Sequence, residues 1–243
     1  AGREVPFAPG YTTGPDAAPL LADEAIALAE SADTVVLFLG LGEGQESEGF
    51  DRTTIDLPAD QIALAVRVLA ANPRTVVVLC HGGALHVSVI DAPAVLDAAL
   101  LGQAIGTGLA AGLFGDINPS GRLTETLPRR IEDTPAYLHF PGEHGHVVYG
   151  EGLFIGYRWY DARALDVTYP FGHGLSYTTF DYDNLAVESG TDGIRVTLRL
   201  TNSGARDGRE IVQVYLGAAT SSVSRPPRVD EIVVMAVEDP DPQ

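Results

Sequence analysis

The sequence predicts an α/β protein, a mostly parallel sheet sandwiched by helices, followed by the beginning of an all-β sandwich. Three observations predict it. Continuous apolar runs of strand length, TVVLFLG (34–40) and TVVVLC (75–80), alternate with helical patterns in the first half. Residues 116–177 lose that alternation among Pro, Gly and aromatic residues. Beyond Phe180 short alternating segments separated by turn residues take over, the pattern of an antiparallel sandwich. These shifts divide the chain into residues 1–180 and 181–243.

Taken in order, PLLADEAIALAESA (19–32) carries apolar residues at helical spacing, and TVVLFLG reads as the first buried strand. LPADQIALAVRVLAANP follows as a helix. Pro58 suits its first position, Ile62, Ala65, Val66, Val68 and Leu69 supply an apolar face, and Asn72-Pro73 ends it. TVVVLC is the second strand, AVLDAALL (94–101) the third, and QAIGTGLAAGLFG (103–115) a helix. Strands joined by helices imply crossovers and a parallel sheet covered on both faces. GDINPSGRL, YGEGLFIGYRWYD and YPFGHGLSYTTF read as long irregular connections. FDYDNLAVE, GIRVTLRLTNSG, EIVQVYLGA and EIVVMAVE read as four strands, short of a complete sandwich. That shortfall predicts a fragment, or a chain that needs a partner.

Composition narrows the function. The formal net charge of −18 argues against nucleic acid, whose phosphates are bound mainly through Lys and Arg. All 15 basic residues are Arg. No run of about 18 apolar residues marks a membrane span, and AGREVPFAPG lacks the basic-then-apolar layout of a secretory signal. The single Cys80 excludes an internal disulfide and reads as an inert thiol at a strand end.

Open α/β sheets gather ligand-binding and catalytic groups on the loops beyond the carboxyl ends of their strands. The loop after the first strand, GLGEGQESEGFDR (40–52), crowds Glu43, Glu46, Glu48 and Asp51 into a glycine-rich stretch. Gly40, Gly42 and Gly44 do not open a dinucleotide-binding helix, and the acids after them would repel a pyrophosphate. HGG (81–83) suggests an esterase oxyanion loop, but no G-x-S-x-G elbow accompanies it. The pairs His144/His146 and His81/His86 match no recognised metal-ligand spacing, so no metal is expected. Three readings of the acidic loop stay open: a cation site, although its spacing is not that of an EF-hand; a solvated acidic loop; or a general acid. For the last, neighbouring carboxylates and burial under a second domain would both disfavour the charged form and leave a Glu able to donate a proton. Asp51 and Arg52 would then shape the loop, by pairing with each other or with its backbone.

The series ESEGFDRTTIDLPADQ, NPRTVVVL, GLFGDINPSGRLTETLP, VVYGEGLFIGYRWYD and YPFGHGLSYTTFDYDNL resembles the carboxyl-terminal portion of glycoside hydrolase family 3, the β-glucosidase family. The resemblance runs from about residue 20 to 228 with several motifs in the family's order. It implies a layered α/β sandwich and, from Asp181, a fibronectin type III-like domain. It also implies an amino-terminal (β/α)8 barrel partner, a sugar or glycoside substrate and no cofactor. The acid/base Glu of many members precedes Gly-x-Asp-Arg, which maps to Glu48, with Glu46 as runner-up. The Asp nucleophile of the family's retaining mechanism is carried by the barrel and has no counterpart in this chain.

Trp159 belongs instead to a structural segment of the family. Where members have Trp-Tyr-Pro-Gly-Gln this chain has ALLGQAIG (99–106), and after VSRPPRV it departs again. Tyr149, Tyr157, Trp159, Tyr160 and Tyr169 could stack on sugars, though packing beneath the connections is the expectation, and INPSGRL is expected to fix a turn. The alternative function is a non-catalytic carbohydrate-binding or assembly module.

Overall fold

The computed structural model describes residues 5–12, 19–49, 51–191, 193–215 and 233–235. The chain forms two compact units, one of residues 1–106 with 127–131, the other of residues 107–126 with 132–243.

In the first unit, α1 (Pro19–Ser31), β1 (Val35–Gly40), α2 (Ala59–Ala71), β2 (Thr75–Cys80) and β3 (Ala94–Asp97) follow one another. The strands form one parallel sheet in the order β1-β2-β3, with Val35 opposite Thr75 and Val76 opposite Ala94. Central β2 is buried over most of its length, with Val77 and Val78 at 0% exposure, as the apolar run of a central parallel strand requires. At β1 the cover is one-sided: Leu37 and Leu39 are buried while Val36 and Phe38 are exposed.

The buried stripe of α2 is Gln61, Leu64, Ala65 and Val68, an i, i+3, i+4, i+7 series, whereas Val66, placed on the apolar face by sequence, is exposed. The stripe is displaced because Gln61 is a core residue. Its side-chain amide donates to Gly40 O at 2.7 Å and accepts from Gly40 N at 2.9 Å, so its burial leaves neither polar group of the amide orphaned. The α1 and α2 helices pack together. Asn72, at the end of α2, donates to Ala29 O and Ala32 O at the end of α1. The third strand is shorter than its apolar run because the chain turns at once: Ala99 N donates to Asp97 Oδ1, and Ala99 takes φ +40°.

In the second unit, α3 (Ile105–Phe114), which begins at the border after a 3-10 turn, leads into the irregular stretch. Within it a helix, α4 (Tyr157–Arg163), stands where sequence suggests only irregular chain. The aromatic residues there pack among themselves. Tyr157 stacks on Phe171 and meets the edge of Tyr215, Trp159 donates to Asp133 O, Tyr160 is buried, and Tyr169 stacks on His173. Tyr149 is exposed. Then β4 (Phe180–Gly190) and β5 (Gly193–Asn202) form an antiparallel hairpin, and β6 (Gln213–Tyr215) pairs antiparallel with β7 (Val233–Met235). The VSRPPRV segment lies outside the described residues.

Candidate active site

The acidic loop leaves the carboxyl end of β1 and runs beside the segment that leaves the carboxyl end of β2, and cross-links join the two. Gly40 comes so close to the Cys80 carbonyl that a Cβ would collide with it, and Leu41 N donates to Cys80 O at 3.1 Å. The Gln61 amide fixes the same glycine from the helix side. A tight turn follows, with Gln45 N and Glu46 N both donating to Gly42 O and the Gln45 side chain accepting from Gly42 N.

Glu46 then turns back toward the neighbouring segment. Its Oε2 accepts from Gly82 N at 2.6 Å, the short length of a charge-assisted bond. Arg52 reaches that same segment from the far side of the loop. Its Nη1 donates to Ala84 O at 3.3 Å and lies 3.9 Å from Glu46 Oε1. Further on, Asp56 bridges His86: His86 N donates to Ile55 O, and His86 Nδ1 lies 2.8 Å from Asp56 Oδ1. That bond above all holds the Asp56 carboxyl below its usual range.

Between the Glu46 and Arg52 anchors the loop carries Glu48 and Asp51, both exposed. No hydrogen bond or ion pair joins the Glu48 side chain to another described residue. The structure therefore separates the two candidate acids: Glu46 faces its own domain and is bound there, and Glu48 stands at the apex. Arg52 ties the loop to the segment after β2. Phe50 lies outside the described residues.

The HGG segment, set aside as an oxyanion loop, has a different part to play. A Cβ at Gly82 would lie 3.1 Å from Glu46 Cδ, so the glycine admits the carboxylate to the backbone N–H. His81 is buried at 3% exposure, with Nδ1 2.8 Å from Gly83 O and Nε2 3.3 Å from Asp97 Oδ2 at the end of β3. Sequence reading passed over Asp97, Gln61 and the role of the glycines. Gly40 and Asp97 share one signal, position, since with Cys80 they close the three neighbouring strands. Burial, then the Asp97 charge, pushes the Cys80 thiol up, in keeping with an inert cysteine.

Residues 17–177 match the model of the glycosyl hydrolase family 3 C-terminal domain. The chain is 47% identical over 229 residues to an exo-α-(1→6)-L-arabinopyranosidase of Bifidobacterium longum, covering 93% of this chain and 30% of that protein. It is 46% identical to thermostable β-glucosidase B of Acetivibrio thermocellus, covering 85% of this chain and 28% of that protein. Among solved structures, the GH3 β-glucosidase of Bifidobacterium adolescentis superposes with a TM-score of 0.88 at 44% identity, covering 96% of this chain and 36% of that one. The β-glucosidase of Kluyveromyces marxianus in complex with glucose gives 0.80 at 40% identity, covering 85% and 25%. The chain thus spans about a third of the length of these relatives or less, and it belongs to the glycosyl hydrolase family 3 C-terminal domain family.

Proposed function

We propose that this chain is the acid/base-bearing portion of a retaining glycoside hydrolase that cleaves terminal β-D-glucoside-type bonds, and that Glu48 is the acid/base. The observation that carries the assignment is the contrast within one loop: Glu46 is committed to Gly82 N–H, while Glu48 is exposed at the apex between two anchors. The division at residue 180, with a fibronectin type III-like module from 181, belongs to the same reading.

Retaining hydrolysis uses two carboxyl groups about 5–5.5 Å apart. Here the second is an Asp on a (β/α)8 barrel partner. As the barrel Asp attacks C1, Glu48 gives its proton to the glycosidic oxygen, the C1–O bond breaks and the aglycone leaves as an alcohol. The Glu48 carboxylate then takes a proton from water, whose oxygen attacks C1 and releases the Asp. Covering the apex with the barrel removes water from around Glu48, so its proton passes to the leaving oxygen rather than to solvent.

The relatives' names include both β-glucosidase and α-L-arabinopyranosidase. Both glycosides place the aglycone oxygen equatorially on a six-membered ring of the same chair sense, so one acid on one side of the ring serves either. The sugar itself is selected by whatever surrounds the ring.

The test compares Glu48→Gln with Glu46→Gln in the enzyme assembled with its barrel. Glu48→Gln is expected to lower kcat/KM on cellobiose by roughly 10²–10⁴-fold and to spare 2,4-dinitrophenyl β-D-glucoside, whose leaving group needs no proton. Added azide should then yield glucosyl azide. Selective loss and glucosyl azide with Glu46→Gln instead would transfer the role to Glu46.

A further inference from the structure

We infer that Asp97 and His81 are positioning residues for proton delivery by Glu48, acting through the 81–84 segment that seats the acid loop. This rests on the reading of Glu48 as the acid/base. The links run in one direction across three strand ends. Asp97 closes β3; its Oδ1 is occupied by Ala99 N at 3.0 Å and its Oδ2 faces His81 Nε2 at 3.3 Å. The other ring nitrogen of His81 lies 2.8 Å from Gly83 O. Both ring nitrogens face oxygen atoms, so the ring is held at its two ends. The buried ring thereby braces the 81–83 backbone, with Asp97 fixing its far edge.

The same segment is the seat of the acid loop. Gly82 N–H takes the Glu46 carboxylate, and the Ala84 carbonyl takes the Arg52 guanidinium. Those two side chains lie two residues before and four residues after Glu48. A shift of the 81–84 backbone moves both feet of the loop, and so moves Glu48. A misplacement of about 1 Å at a reacting group can cost on the order of 10²-fold in rate. Neither Asp97 nor His81 touches sugar in this account; they fix where the proton is offered.

The experiment uses the enzyme assembled with its barrel, and takes the ratio of kcat/KM on cellobiose to kcat/KM on 2,4-dinitrophenyl β-D-glucoside within one preparation. Any loss of folded enzyme cancels in that ratio. Glu46→Ala is expected to lower the ratio by roughly 10–100-fold and Asp97→Asn by roughly 3–10-fold. Glu46→Gln, which keeps an oxygen for Gly82 N–H, should recover most of it, and none of the three should form glucosyl azide, since Glu48 remains in place. An unchanged ratio in either Glu46→Ala or Asp97→Asn overturns the inference. Glu48→Gln, run alongside, separates the two claims: if it shows selective loss and glucosyl azide while either of those variants leaves the ratio untouched, only the positioning role falls. If it shows neither, both fall together.

Discussion

Two glycine-containing, charge-bearing connections of this chain behave differently in the structure. One is the acid loop of the first unit. The other, INPSGRL in the second unit, has its Asn118 and Arg122 side chains matched within that unit. Asn118 donates to Asp207 O and accepts from Tyr177 N and Ser176 Oγ. Arg122 Nη2 donates to both oxygens of Glu210 at 2.8 Å, with each side chain only 10% exposed. Gly174 approaches Gly121 O so closely that a Cβ would stand 2.6 Å away. The acid loop has the same kind of anchors at its two feet and leaves its apex unengaged. A charge matched within its own unit holds shape; a charge left facing outward between two anchors is available for chemistry.

The contrast can be broken most forcefully at Arg122. Arg122→Ala strands the largely buried Glu210 carboxylate, and a loss of about 3 kcal/mol is expected. Urea unfolding followed by fluorescence of Trp159, which lies in that same unit, measures it. A change near zero would mean that the pair is not structural. Gln61→Leu comes next, at about 2 kcal/mol, because it orphans the N–H and C=O of Gly40 at the root of the acid loop. Hydrogen exchange should show the Gly40 amide, and not the Asn118 region, losing protection.

The smallest effect concerns Asp56 at the far foot. Its native pKa is held below the ordinary 3.8, chiefly by the hydrogen bond with His86. The carboxylate therefore contributes stability above the unfolded value, and that contribution disappears as pH falls through the lower native value. Asp56 is half exposed, so the effect is modest. Asp56→Asn should flatten the acid limb of the stability curve below about pH 4, and a carboxyl titration by NMR should give a midpoint under 3.8. A midpoint at or above it would remove this foot from the comparison.

The parallel sheet and the place of its acid loop were readable because β1 and β2 are unbroken apolar runs, and strand ends locate sites in such sheets. What could not be read has identifiable causes. Gln61 looks like an interruption of an apolar stripe until its partner Gly40, 21 residues away, is in view. Helix α4 spans seven residues, two turns, too few for a period to emerge among aromatic residues. It also ends on Ala164 in the left-handed region, φ +49°, where a glycine would have signalled a stop. The choice of Glu48 over Glu46 came from motif resemblance; the structural contrast between them depends on Gly82, 36 residues beyond Glu46, and no local pattern reports that pairing.

The partner of Glu46 is a main-chain amide, and this has a bearing on how the sequence can drift. A side-chain donor vanishes with almost any replacement, whereas the N–H of residue 82 is present in every coded amino acid but proline. Selection at that position acts on bulk alone, while selection at position 46 acts on charge and reach together. The two halves of one contact are thus exposed to mutation unequally, and variants that loosen it should accumulate on the acidic side.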